Sequence, residues 1–170
     1  MKVIRKQRNS KMCAVCGLDN PYGLRAPFYS LEDGSVLSRF SFREEHQSYP
    51  GRVHGGLISA MLDELGLRAL WAMEGEEKTF GVTMSLETKF RKPVPYGETL
   101  FGLGRVVKES GNFLTAFCTL SDVEGNTLAE AQIRYLKLPV DKIKEGVNEH
   151  EEMCYLIEDG VTEIACGGEI

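Results

Sequence analysis

At 170 residues, 42% hydrophobic and 26% charged, the chain suits a single hydrophobic core, and no low-complexity run divides it. The net charge of −5 and isoelectric point near 5.3 offer no global attraction to a polyanion, so neither nucleic acid nor an acidic membrane surface is expected as a partner. Residues 1–17 are basic without a following apolar run, which argues against a secretory signal or membrane span. Five dispersed cysteines, Cys13, Cys16, Cys118, Cys154 and Cys166, fit free thiols in a reducing cytoplasm.

Residues 1–26 carry charge, Gly and Pro with little periodicity and read as an irregular lead-in. Phe28 to Leu31 and Ser35 to Phe42 form two short strand-like runs, with Asp33 before Gly34 favouring a tight hairpin turn. After a turn-rich stretch from His46 to Val53, His54 to Met73 has helical character, free of Pro and rich in Leu, Met and Ala. Steps of about 100° put Leu57, Glu64 and Arg68 on one narrow side and apolar or small residues nearly everywhere else, so something must wrap this helix. Gly75 is its natural stop.

Four strand-like runs follow, Phe80 to Phe90, Thr99 to Lys108, Phe113 to Ser121 and Leu128 to Leu138, separated by turn signals. Beyond Pro139 the chain becomes charged and reads as a tail outside the core, with a weak strand at Tyr155 to Ile157. The expectation is an α+β fold over residues 27–139, an antiparallel sheet curled round one helix, flanked by the lead-in and the tail 140–170.

The segment from His46 through Gly55 and Gly56 to Asp63 carries the most chemical information. Glycines at a helix start let a ligand approach free amides at the positive end of the macrodipole, a site for a developing oxyanion; the plain alternative is a tight turn. Asp63 shares its sector with Ser59, Gly66, Leu67 and Leu70, away from Glu64, which is expected to form a solvated ion pair with Arg68. A carboxylate among apolar neighbours loses hydration and becomes a candidate base or nucleophile; otherwise it is a structural Asp bonded to a strand. Eight helical steps separate Gly55 from Asp63, about 12 Å, too far to share one substrate carbon. If both act, they come from different subunits of a two-fold dimer with two equivalent sites, and a monomer is inactive.

His54, Gly55, Gly56 and Asp63, nine after the His, resemble the PaaI-like branch of the hotdog thioesterase superfamily. Cys13, Cys16, Gly17, Asn20, Pro21, Gly23 and Leu24 resemble a common opening of such chains, and Phe90 to Val94 the end of their strand after the helix; the likeness covers about residues 12 to 139. It implies a hotdog fold, about six antiparallel strands around one long central helix, in a homodimer that often pairs into a tetramer. It also implies acyl-CoA hydrolysis, with Asp63 as base or nucleophile, the Gly55 amide polarising the carbonyl, His54 shaping the loop and Thr83 assisting; no cofactor or metal is expected. Relatives carry Asn or Gln six residues before the His; here Ser48 stands there, and a one-residue loop insertion would give Gln47 the role.

Cys13 and Cys16 have the spacing of a zinc-ligand pair, but no second pair follows at a zinc-ribbon distance, so packing beneath the lead-in is the expectation. Lys89, Arg91 and Lys92 are the densest basic cluster and candidates for CoA phosphates, with Arg105 and Lys108 more distant; a solvated strand end is the equal alternative. Leu57, Met61, Trp71, Met84 and Phe90 are candidates to set pocket depth, and His46 and His150 read as surface residues. A non-catalytic acyl-CoA binding module and a hotdog dehydratase are the alternatives of the same fold.

Overall fold

Helix α1 (Gly55–Glu74) sets the architecture, because nearly its whole circumference must be covered. The computed structural model describes residues 1–75, 79–139, 142, 155–156 and 159–165. In chain order the strands are β1 (Val3–Lys6), β2 (Tyr29–Leu31), β3 (Val36–Phe40), β4 (Gln47–Tyr49) and β5 (Arg52–Val53), then, after α1, β6 (Thr79–Phe90), β7 (Leu100–Ser110), β8 (Phe113–Ser121) and β9 (Thr127–Pro139). Strands β4 and β5 form a small hairpin leading into α1. The others make one antiparallel sheet in the order β1-β2-β3-β7-β8-β9-β6, bent round the helix.

Period-two alternation builds the inner face. Leu114, Ala116, Cys118 and Leu120 of β8 and Ala129, Ala131, Ile133 and Tyr135 of β9 are buried towards α1. Leu62, Leu65 and Leu70 of the helix are fully buried, each such side chain contributing about 1.5–3 kcal/mol of transfer free energy. A Cβ at Gly104 would lie 2.8 Å from the Leu65 carbonyl oxygen, so glycine there lets helix and sheet meet closely. The helix begins one residue after its expected start, with His54 as N-cap, and stops at Gly75 in the left-handed conformation at φ 75°.

The sheet has seven strands, not about six, because Val3–Lys6 of the expected irregular lead-in pairs with β2. Its local pattern is weak, and residues distant in sequence support it. Val3 N–H donates to Thr162 at 2.8 Å, the Met1 amino group donates to Ile164 at 2.9 Å, and Lys6 pairs with Asp159 at 2.5 Å. Ile164 is buried with Tyr29, Leu31, Leu37 and Phe101 on the outer sheet face, so the far end of the expected external tail caps this edge. At the expected weak strand Tyr155 makes only an isolated bridge with Asn9, while Ile157 and His150 lie outside the described residues.

Three further expectations are corrected. Arg68 is not solvated: its side chain is 2% exposed, bonded to Glu64, and its guanidinium lies 4.7 Å from the Phe28 ring centre and 4.6 Å from that of Trp71. The sheet covers only part of the helix, and the lead-in folds over this side. His46 is buried because it closes the turn before β4, Nδ1 accepting from Arg43 N–H at 2.9 Å and Nε2 meeting the Tyr22 carbonyl at 2.8 Å. Met61 and Trp71 belong to the core, Trp71 donating Nε1–H to the Thr79 carbonyl at 2.6 Å. Among the described residues, no helix is long and apolar enough to cross a membrane.

Candidate functional site

The β4–β5 hairpin delivers the chain to the start of α1. Gln47 pairs with Val53, and His54 N–H donates to the His46 carbonyl at 2.9 Å, fixing the entry angle. His54 has extended backbone, and its Nδ1 accepts from Gly56 N–H at 2.9 Å as a side-chain cap. Leu57 and Ile58 donate to the His54 carbonyl. Among the described residues, the first-turn amide left without an acceptor is Gly55. Phe90, at the end of β6, crosses this amide: a Cβ at Gly55 would lie 3.3 Å from its ring.

Two turns along the helix, Asp63 faces the junction of β6 and β9. The Thr83 hydroxyl donates to Oδ1 at 2.9 Å and Oδ2 at 3.2 Å. The Tyr135 hydroxyl lies 2.6 Å from the Asp63 carbonyl and 3.1 Å from Oδ1. Thr83 and Tyr135 are direct cross-strand partners, and a register shift follows between Thr83 and Ser85, so the β6 bulge begins where the two hydroxyls converge. Glycine at position 66 admits the tyrosine, since a Cβ there would run into its hydroxyl.

Burial lifts the Asp63 carboxyl above its ordinary pKa; the Thr83 and Tyr135 hydrogen bonds draw it partway back, and the Glu64 charge adds to the rise. Among the described residues Asp63 has no ion-pair partner. Tyr135 escaped the sequence reading, because an aromatic in an alternating strand looks like ordinary core. Its pairing with Thr83 depends on register, which sequence does not state.

Gln47 and Ser48 lie exposed on β4, close in the chain to His54. Lys89, Arg91 and Lys92 cluster with Phe90 at the helix-start end of β6. Their charges are not equally available: Arg91 pairs with Glu130 at 2.5 Å, Lys89 with Glu87 at 3.8 Å, and Lys92 donates to Asn126 at 3.1 Å. An open depression of about 750 Å³ lies elsewhere, lined by Tyr29, Arg39, Phe101 and Ile164 on the outer sheet side.

Cys13 and Cys16 pack between lead-in and helix as expected, but Glu64 approaches them from α1, its Oε2 4.0 Å from Cys13 Sγ. The Cys13 thiol is lowered to about 6 because Cys16 donates to it, against the opposing effects of burial and the Glu64 charge.

One long helix wrapped by an antiparallel sheet is the hotdog architecture. Residues 50–129 match the profile of the Thioesterase superfamily, and in fold the chain is a hotdog domain. It is 29% identical over 119 residues to acyl-coenzyme A thioesterase THEM4 of Mus musculus, a match covering 69% of this chain and 49% of that one. The chain therefore spans about half the length of that curated relative. A crystal structure of a thioesterase superfamily protein superposes with a TM-score of 0.67 at 25% identity, covering 74% of this chain and 63% of that one. The PaaI protein of the E. coli phenylacetic acid degradation operon shares the fold with a TM-score of 0.60 at 15% identity, covering 68% of this chain and 80% of that one.

Proposed function

We propose that the chain hydrolyses an acyl-CoA thioester to a carboxylic acid and free CoA at sites shared between two subunits. The observation that carries this reading is Asp63, a carboxylate drawn out of water, oriented by two hydroxyls and, among the described residues, neutralised by no cation. Such a group is poised to take a proton from water as the oxygen attacks the thioester carbon, or to attack that carbon itself and form a mixed anhydride that water then cleaves. In either course the carbonyl oxygen becomes negative, the carbon–sulfur bond breaks, and CoA leaves as the thiolate to be protonated. The Gly55 amide is the donor for that oxygen, and His54 keeps it directed outward by capping Gly56.

Thr83, joined by Tyr135, holds the Asp63 carboxylate in place. Gln47 and Ser48, exposed on β4, are the candidates to contact the thioester, and Lys89 and Lys92, with Arg91 restrained by Glu130, the candidates for CoA phosphates. Gly56 lets the substrate pass close to the helix start.

The dimer follows from the two sheet edges. The β1 edge is capped by residues 159–165, whereas among the described residues nothing covers β6, a twelve-residue strand with Val82 42%, Met84 54% and Phe90 55% exposed. A long apolar edge of this kind pairs with another strand. Antiparallel pairing of two β6 strands continues the sheet and brings Gly55 of one protomer to Asp63 of the partner subunit. A dimer of dimers is the extension of this assembly, and the free thiols fit a reducing cytoplasm.

The test is CoA release from short, medium, long and aryl acyl-CoAs, read by an assay blind to protein thiols, for the native chain and Asp63→Asn. Turnover by the native chain and its loss in Asp63→Asn sustain the proposal. Binding without turnover makes the chain a binding module, and an equally active Asp63→Asn removes Asp63 from the mechanism.

A further inference from the structure

The cluster of Cys13, Cys16 and Glu64 has no part in the hydrolysis proposed above. Cys13, Cys16 and Glu64 bring two sulfur atoms and one carboxylate oxygen within 4.8 Å of one another. The sequence offered only half a ligand set; the fold supplies the third donor from a helix fifty-one positions further along the chain. We propose that Cys13, Cys16 and Glu64 form a binding site for one thiophilic divalent cation of the zinc class, clamping the lead-in to the central helix.

A tetrahedral centre with bonds of about 2.3 Å to sulfur and about 2.0 Å to oxygen holds neighbouring donors roughly 3.3–3.8 Å apart. The Cys13 Sγ to Glu64 Oε2 distance of 4.0 Å is already close to that spacing. The loop is shaped to present sulfur: the Val15 and Cys16 amides point at Cys13 Sγ at 3.3 and 3.5 Å, and Gly17 N–H closes the turn on the Cys13 carbonyl at 2.9 Å. Any side chain at position 17 would collide with the Cys13 backbone.

The carboxylate is held in a matching way. Arg68 donates Nε–H and Nη2–H to Glu64 Oε1, both at 2.9 Å, which leaves Oε2 turned towards the thiols. Ligating carboxylates are commonly oriented by such outer partners. Two thiolates and one carboxylate balance a divalent cation together with Arg68, so the loaded cluster is neutral. Thiolates select soft cations over magnesium or calcium. Ser10 Oγ, 3.2 Å from Cys16 Sγ, borders the remaining position.

The test uses the full chain with Cys154→Ser and Cys166→Ser, purified under reductant without chelator, analysed for zinc and then, after stripping, titrated with Co²⁺. About one equivalent of metal is expected, with near-ultraviolet thiolate-to-cobalt absorption and visible bands of a tetrahedral site. Cys16→Ser should lose most of the near-ultraviolet absorption, and Glu64→Gln should weaken Co²⁺ binding by about tenfold or more. A folded chain, verified by circular dichroism, that takes up neither metal overturns the proposal. So does equal Co²⁺ affinity in Glu64→Gln, or a Cys13–Cys16 disulfide forming in place of metal uptake. Should Cys16→Ser not fold, the cobalt spectrum of the parent chain and the Glu64→Gln titration decide.

Discussion

Asp63 and Glu64 are consecutive carboxylates on one helix, and the fold gives them opposite surroundings. Glu64 turns to the lead-in and meets Arg68, a cation packed between Phe28 and Trp71. Asp63 turns to β6 and β9 and meets two hydroxyls and, among the described residues, no cation. A carboxylate paired with a buried guanidinium serves structure. One that is desolvated and only hydrogen-bonded keeps a proton affinity that chemistry can use. About 100° of helix rotation separates these outcomes.

The largest effect that would sharpen this contrast is on turnover. Asp63→Asn is expected to lower kcat/KM by about 10²- to 10⁴-fold while circular dichroism stays unchanged; a smaller loss with full folding would end the distinction. On the Glu64 side the effect belongs to stability. Arg68→Leu removes a buried cation from a part-buried carboxylate and should cost about 3–5 kcal/mol in urea unfolding; a loss under about 1 kcal/mol would mean that the pair is solvated after all.

Thr83→Val should act on the other carboxylate through its pKa. Its hydroxyl draws Asp63 down against burial, so removing it moves Asp63 further up and shifts the acid limb of the kcat/KM profile to higher pH. Each unit of displacement lowers the rate about tenfold at a fixed pH on that limb. An unmoved limb would show that Thr83 does not govern Asp63.

The smallest effect concerns stability against pH. Because the folded-state pKa of Asp63 is raised, the native chain holds that proton more tightly than the unfolded one. The stability this contributes is present below the unfolded carboxylate value, about 3.9, and is lost as pH rises through the window up to the folded value. Asp63→Asn should therefore melt no lower than the native chain at pH 8; a clearly lower Tm would give Asp63 a structural role.

Periodicity carried the helix, its glycine stop and the four strands after it, because each element is long enough to show its pattern within its own sequence. It did not carry β1, whose pairing is supported by residues 159–165, or the burial of Arg68, which the lead-in covers. Within the site, Asp63 and the glycine-rich helix start were legible from residue type and spacing, and Thr83 from resemblance. Tyr135 was not: its role depends on β6 and β9 being in register across a bulge, and on glycine at position 66. Glu64 was assigned to solvent because helical spacing gives angular position and says nothing of what folds over that face.

The most direct test of the shared-site account is complementation between two inactive chains. Gly55→Pro deletes the amide at the first helical position, where proline is tolerated, and His54 before it already has the extended backbone, φ −66° and ψ 130°, that proline requires. Mixed with Asp63→Asn after unfolding and joint refolding, half of the dimers formed at random pair one chain of each kind, and each of these has one intact site. The account predicts recovery of about a quarter of native turnover in the mixture while each variant alone stays inactive. Activity no greater than that of the separate variants, with mixed dimers demonstrated by mass, would contradict it and return Gly55 and Asp63 to a single chain.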